Sequence, residues 1–152
     1  MLRKITMTIN GEKRTLEVDD RESLLEVLRE RFSLFSVKQG CSVGECGACA
    51  VLIDGLSINS CIYLAVWADG REIRTVEGFE QDGKLSVMQQ AFVDEGAVQC
   101  GFCIPGFLIS ATELMEKKRS FSREEVRRAL SGHLCRCTGY QKIVEATEKG
   151  LK

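Results

Sequence analysis

The chain begins with a segment in which apolar and polar residues alternate. Ile5, Met7 and Ile9 share one face of a strand predicted over residues 2–9, which is the pattern of a half-buried strand. The dipeptide Asn10-Gly11 follows, and it is typical of a two-residue hairpin turn because both of its residues accept a positive φ. A return strand is therefore expected directly after the turn.

A short helix and two further strands are predicted after this hairpin. Apolar residues between positions 24 and 28 are spaced to bury one helical face, and either Asp19 or Asp20 is expected to cap the helix N-terminus. Residues 50–53 form an apolar strand before an Asp-Gly turn, and residues 72–76 are predicted as the last strand. This order of elements predicts a small α+β sheet with one helix packed across it.

The second half of the chain has a helical pattern throughout. Four helices are predicted from the spacing of apolar residues and from start signals at Ser86 with Gln89, at Pro105, at Ser122 with Glu125, and at Thr138 with Gln141. A polar segment with a glycine separates the two halves. The predicted organisation is an N-terminal domain of residues 1–78, a linker of residues 79–84 and a four-helix domain of residues 85–152.

Charge and hydropathy indicate which partners are not expected and where the protein is expected to be located. With 21 basic and 22 acidic residues among 152, the chain has a net charge of −1 and no block of like charge, so neither nucleic acid nor an anionic membrane is an expected partner. The N-terminus lacks the apolar core of a signal peptide, and no apolar run approaches membrane-spanning length. We therefore expect a cytoplasmic setting, where clustered cysteines are more often metal ligands than disulfides.

The eight cysteines form two sets of four, and the first set has a specific spacing. It consists of Cys41, Cys46, Cys49 and Cys61. The pattern C-x4-C-x2-C with a distant fourth cysteine is that of plant-type [2Fe–2S] proteins, whereas zinc sites prefer paired C-x2-C spacings. Gly40, Gly44 and Gly47 are expected to supply the positive φ that a loop around a cluster requires.

The spacing of the second set is less specific. It consists of Cys100, Cys103, Cys135 and Cys137. Both of its pairs are expected at helix starts, where free N–H groups and the helix dipole stabilise thiolates. From this spacing alone, an iron–sulfur cluster and a structural zinc ion both remain possible.

The remaining candidate residues have structural interpretations. His133, the single histidine, lies near Cys135, and a neighbouring or capping role is expected because both cysteine sets are already complete. Tyr63 and Trp67 are expected in the core, and Phe102 is expected to shield a cluster from water. The chain has no dinucleotide fingerprint, no P-loop and no nucleophile set. These features predict an electron carrier whose chemistry takes place on a partner.

Three segments together resemble the iron–sulfur subunit of the molybdenum hydroxylases. They are residues 36–49, with Ser-Val-Lys-Gln-Gly before the first cysteines, residues 99–103 (Gln-Cys-Gly-Phe-Cys) and residues 135–140 (Cys-Arg-Cys-Thr-Gly-Tyr). The resemblance covers nearly the whole chain. It implies a plant-ferredoxin-like (β-grasp) domain followed by a four-helix domain, and it favours a second [2Fe–2S] cluster over zinc.

The resemblance also implies partners and a route for electrons. A large subunit would hold a molybdenum–pterin centre, and a medium subunit would hold FAD. Electrons would pass through the cluster of the second cysteine set, then through that of the first set, to the FAD. Gln99 and Cys137 occupy the positions expected to contact the pterin. Ile104 replaces the threonine usual in the family, which we expect to alter packing and not ligation.

Within the family, residues 61–68 and 72–78 are most similar to the small subunit of bacterial xanthine dehydrogenases, so xanthine or hypoxanthine is the expected substrate of the complex. Nicotinate, aldehyde, carbon monoxide and 4-hydroxybenzoyl-CoA enzymes are alternatives. A free two-cluster ferredoxin and a redox sensor are alternatives of other classes. The nearly neutral charge and the additional domain favour a permanent subunit of a hetero-oligomer, for which we expect exposed apolar patches.

Overall fold

The computed structural model describes all 152 residues, Met1–Lys152, and its first half contains one mixed sheet. The strands are β1 (Leu2–Ile9), β2 (Glu12–Asp19), β3 (Ala50–Ile53), β4 (Leu56–Asn59) and β5 (Glu72–Arg74). They lie in the order β2-β1-β5-β3-β4, and only the pair of β1 and β5 is parallel. The α+β prediction is confirmed, although the last strand ends at Arg74, two residues earlier than predicted.

The predicted hairpin turn is confirmed and has a second function in the sheet. Asn10 and Gly11 both have positive φ, 48° and 83°. The Asn10 side chain also donates a hydrogen bond to the Thr75 hydroxyl (2.9 Å) and accepts one from the Thr75 backbone N–H (2.8 Å). The hairpin tip is thereby joined to the segment that leaves the sheet after β5.

The first helix begins at a different cap from the one predicted. α1 (Leu24–Glu26) continues as a π-helical turn, Val27–Arg31, and its N-cap is Ser23, which forms a reciprocal capping box with Glu26. The prediction of Asp19 or Asp20 as the cap was wrong. Asp19 is the last residue of β2, and its carboxylate accepts hydrogen bonds from Arg21 instead.

The four predicted helices of the second half are all present. They are α2 (Val87–Asp94), α3 (Ile104–Glu116), α4 (Arg123–Leu130) and α5 (Gln141–Gly150). The capping boxes that begin α2 and α4, at Ser86 and Ser122, are confirmed, as is Pro105 in the first turn of α3. None of the helices combines the length and apolar character that crossing a bilayer requires.

The two aromatic residues near Cys61 are placed differently from each other. Tyr63 is partly buried against the core of the sheet domain, as expected. The prediction that Trp67 lies in the core was wrong, because its side chain is 55% exposed. The Trp67 ring packs edge-on against Tyr63, with 5.5 Å between ring centroids, and its other side faces solvent.

β3 is buried on both faces, which explains its uninterrupted apolar sequence. One face belongs to the core of the sheet domain. The other face includes Leu52. It contacts Phe79, which follows β5 in the chain, and Ile109 of α3, and these residues form a small cluster between the two halves. The helical domain therefore packs directly on the sheet through β3.

Polar contacts reinforce this interface along α3. The Arg74 guanidinium donates to both carboxylate oxygens of Glu116, each at 2.7 Å. The Ser57 backbone N–H of β4 donates to Glu113 at 2.8 Å. Because one face of α3 contacts the sheet domain while α3 also packs on α2, α4 and α5, it is the main element that orients the two halves.

Replacing Phe79 by alanine should weaken the interface between the two halves. Phe79 is 7% exposed, and its truncation leaves a cavity between β3 and α3. We expect a loss of about 3 kcal/mol and a thermal unfolding midpoint about 10 °C lower. Phe35→Ala is the control, since Phe35 is 55% exposed and makes only a surface contact with Arg29, worth about 1 kcal/mol at most. Equal midpoints for the two variants would contradict the shared core.

Candidate metal centres

The cysteines of the first set come together from two parts of the sheet domain. Cys41, Cys46 and Cys49 lie in the long loop between the π-helical turn and β3, and Cys61 lies in a 3-10 turn after β4. The thiols approach one another mainly in pairs, with Cys41 against Cys46 and Cys61 against Cys49. All four predicted residues of this set therefore converge.

Backbone N–H groups of the loop are aimed at one sulfur. Those of Val43, Glu45 and Cys46 donate to the Cys41 Sγ at 3.3–3.4 Å. These hydrogen bonds lower the pKa of Cys41 to about 6. Burial and the neighbouring Cys49 thiol raise the pKa of Cys61 to about 11. The loop thus provides charge stabilisation at its outer sulfur, which a thiolate ligand requires.

The glycines of this loop have two different functions. Gly44 and Gly47 have φ of 80° and 72°, as predicted. Gly40 does not have a positive φ, so that prediction was wrong for Gly40. A Cβ at Gly40 would instead lie 2.7 Å from the Cys46 Sγ, so glycine is needed there for close approach. Ser42 adopts a positive φ of 58°, which the sequence did not indicate.

The second set also converges, between α3 and the loop before α5. Cys103 is the N-cap residue of α3, with Cys100 just before it. Cys103 approaches Cys135, and Cys100 approaches Cys137. Burial, together with Cys135, raises the pKa of Cys103 to about 12. The second set therefore shows the same pairwise arrangement as the first.

Two predictions about the loop before α5 were wrong. Thr138 does not cap α5, which begins at Gln141 after Tyr140 in the left-handed region (φ 69°). Cys135 and Cys137 consequently lie in a loop and not at a helix start. The Thr138 hydroxyl and backbone N–H instead contact the Cys135 Sγ, at 3.0 and 3.4 Å. Burial alone would raise the pKa of Cys135, but these contacts lower it to about 7.

The pairwise arrangement agrees with one of the metal groups that the spacing allowed. A single zinc ion needs its four donors around one point. Two pairs of thiols, with the Gly40 backbone lying close to the Cys46 Sγ, fit a group with two metal atoms that each take two thiolates. The residues of both sets therefore fit [2Fe–2S] clusters.

His133 has a role that sequence reasoning missed. Its side chain is 6% exposed and lies between the two halves, where Nδ1 contacts the Gly47 carbonyl at 3.0 Å and Nε2 contacts the Ser110 hydroxyl at 2.6 Å. Burial lowers the pKa of His133. Only its position two residues before Cys135 connected it with the site, because its partners are distant in sequence.

The second set opens onto an apolar depression of the surface. This depression has a volume of about 430 Å³ and is lined by Cys100, Phe102, Cys103, Leu134, Cys135, Arg136 and Tyr140. Phe102 and Leu134 are exposed there, so Phe102 covers the thiols only in part. The two residues expected to contact a pterin are also exposed: Gln99, directly before the second set, and Cys137, which belongs to it. The expected apolar patch is thus found next to a candidate metal centre.

Comparisons with known proteins agree with this geometry. A family described as "2Fe-2S iron-sulfur cluster binding domain" matches residues 7–74, and one described as "[2Fe-2S] binding domain" matches residues 75–148. The two matches meet between β5 and the following turn. They confirm the prediction of two [2Fe–2S] clusters, one for each half of the chain.

Several known proteins are similar to this chain over nearly its whole length and so contain both of its halves. The chain is 56% identical over 142 residues to the xanthine dehydrogenase iron–sulfur-binding subunit of Escherichia coli O157:H7, covering 92% of this chain and 89% of the relative. It is 54% identical over 143 residues to the nicotine 6-hydroxylase small subunit of Paenarthrobacter nicotinovorans, covering 94% and 86%. A chain of quinoline 2-oxidoreductase from Pseudomonas putida 86 superposes with a TM-score of 0.93 at 46% identity, covering 97% and 91%.

Replacing Gly40 by alanine should prevent assembly of the first cluster alone. The added Cβ would lie 2.7 Å from the Cys46 Sγ and displace that ligand. We expect iron and sulfide to fall to about half, with one of two EPR signals retained, because each cluster holds two iron atoms. Gly132→Ala is the matched control, since a Cβ there meets nothing within 4 Å. Full iron content in the Gly40 variant would show that the first cluster does not need a glycine beside the Cys46 Sγ.

Proposed function

Because the chain belongs to the iron–sulfur subunits of the molybdenum hydroxylases, we propose that it carries electrons between the two other subunits of such an enzyme. It is a non-catalytic electron-transfer subunit of an oxidoreductase. The observation that carries the proposal is the presence of two paired thiol sets on two domains with a common core. For the domains we propose residues 1–78 and 85–152, joined by residues 79–84.

The cysteine sets supply the ligands in this proposal. Cys41, Cys46, Cys49 and Cys61 hold one cluster, and Cys100, Cys103, Cys135 and Cys137 hold the other. When bound, each [2Fe–2S] cluster accepts and releases one electron. The chain's own residues orient the thiolates, donate N–H groups to the sulfurs of Cys41 and Cys135, and bury the inner ligands from water.

The second set faces the electron donor in this proposal. Its partner is a large subunit with a molybdenum–pterin centre, and Gln99 and Cys137 contact the pterin. The exposure of both residues supports this orientation, as does the apolar depression formed by Phe102 and Leu134. An exposed apolar surface of this kind suits a permanent subunit interface.

The first set faces the electron acceptor, a medium subunit with FAD. Val43 in the first cysteine loop and Ile62 beside Cys61 are apolar and exposed, so this set also has an apolar surface nearby. A free two-cluster ferredoxin, the alternative of another class, would instead dock briefly through charged surfaces. The net charge of −1 and the two apolar surfaces favour the hetero-oligomer.

For the substrate of the complex, we propose xanthine or hypoxanthine, in a cytoplasmic enzyme. The relative named for xanthine dehydrogenase is 56% identical and supports this choice. The relative named for nicotine 6-hydroxylase is nearly as similar, at 54%, and keeps nicotine-type and nicotinate-type substrates as alternatives. The substrate pocket would belong to the large subunit, so purification of the complex and assay with each substrate decides between them.

Replacing Cys137 by serine in the purified complex tests the proposed route. The substitution removes one ligand of the second set, so we expect substrate to reduce the first cluster at least tenfold more slowly. Dithionite, which acts from solvent, should still reduce the first cluster fully, and this serves as the internal control. The measurement is freeze-quench EPR after mixing with substrate or dithionite. Reduction by substrate at the normal rate would show that electrons do not pass through the second set.

A further inference from the structure

The two ligand loops touch each other across the domain interface. The backbone carbonyl of Cys46, in the first set, accepts a hydrogen bond from the Leu134 N–H at 2.9 Å. Leu134 directly precedes Cys135 of the second set. Only one hydrogen bond and a short length of backbone thus separate a ligand of one set from a ligand of the other.

His133 secures this contact from the side of the helical domain. The Gly47 carbonyl can only accept, so Nδ1 of His133 carries the proton and donates to it at 3.0 Å. Nε2 must then accept from the Ser110 hydroxyl, 2.6 Å away. The Ser110 oxygen is left to accept from the Ser57 hydroxyl of β4 at 3.2 Å. Each group in this chain therefore donates to the next, from Ser57 of β4 through Ser110 of α3 and His133 to the first cysteine loop.

Two glycines allow the backbone to approach His133 closely. A Cβ at Gly47 would lie 2.3 Å from the Gly132 carbonyl oxygen and 2.4 Å from the His133 Nδ1. A Cβ at Gly106, in α3, would lie 2.3 Å from the Gly47 carbonyl oxygen. The Phe107 ring packs against the imidazole, with 5.0 Å between centroids. The imidazole is thus held by hydrogen bonds at both nitrogens and by the Phe107 ring on one side.

We propose that His133 is a positioning residue that fixes the first cysteine loop against the second and so sets the coupling between the two clusters. It touches neither set of thiols through its side chain and acts by holding the contact between the Cys46 carbonyl and the Leu134 N–H. The rate of electron transfer falls steeply as the distance between two centres increases. Contacts that fix this distance therefore control the rate. The inference rests on the proposed electron-transfer function and adds a residue outside both ligand sets.

The test uses the full-length chain loaded with both clusters and three substitutions at this contact. His133→Leu removes both side-chain hydrogen bonds. His133→Asn keeps an N–H donor near the position of Nδ1, and Ser110→Ala removes the contact to Nε2 while leaving the imidazole in place. The readouts are the magnetic interaction between the two reduced clusters in low-temperature EPR, and hydrogen–deuterium exchange of a fragment that contains Leu134.

We expect graded effects across the three variants. In His133→Leu, exchange at Leu134 should rise at least tenfold and the EPR interaction should weaken. Both readouts should be largely restored in His133→Asn and intermediate in Ser110→Ala. Thr147→Val is the control, because it removes a buried hydrogen bond within α5, from the Thr147 hydroxyl to the Ile143 carbonyl. It should change neither readout.

Wild-type exchange and wild-type EPR interaction in His133→Leu would overturn the inference. If His133→Leu does not load its clusters, Ser110→Ala decides, and wild-type values in that variant overturn the inference equally. Iron and sulfide analysis separates this outcome from a failure of the proposed function. A wild-type chain without two [2Fe–2S] signals would contradict the function itself, whereas two normal signals with an unaffected variant contradict only the role of His133.

Discussion

The burial of β3 on both faces is the constraint on which the rest of the structure depends. A strand that packs on its own domain core with one face and on α3 with the other cannot shift without disturbing both domains. The first cysteine loop leads directly into β3, and Cys103 begins α3. The two candidate metal centres are therefore attached to the two elements that form the domain interface, and apolar packing acts together with the hydrogen bonds at His133 to set their relative position.

The elements that depend on local chemistry could be predicted from the sequence. The Asn10-Gly11 turn requires two positive φ values, and the capping box at Ser86 satisfies N–H groups within one helical turn, so neither depends on distant residues. The spacing of the first cysteine set also indicated a cluster, because ligand spacing reflects the shape of the loop that holds it, whereas the spacing of the second set left zinc open. The apolar run at residues 50–53 predicted a strand, but its two separate packing partners could not be inferred from it.

Two wrong predictions and one missed role depend on side-chain contacts that the sequence pattern does not show. Thr138 has the spacing of a helix cap. Its hydroxyl and N–H instead contact the Cys135 sulfur, so they do not cap α5. Gly40 was expected for its backbone freedom, whereas its importance lies in the space beside the Cys46 Sγ. His133 acts through Gly47 and Ser110, which are 86 and 23 residues away in sequence. The contact between His133 and Gly47 exists only after the two domains have packed.

The thiols within each set differ in a way that links folding to cluster assembly. Each set has one sulfur whose pKa is lowered by hydrogen bonds, Cys41 or Cys135, and one whose pKa is raised mainly by burial, Cys61 or Cys103. Burial disfavours the thiolate forms of Cys61 and Cys103, and a cationic metal group that binds them would offset this cost. Cluster binding therefore supplies the charge that the buried half of each site lacks, and the free energy of binding adds to the stability of the fold. Because Cys61 and Cys103 each pack against a domain core, cluster binding at these residues is linked to the packing of both cores.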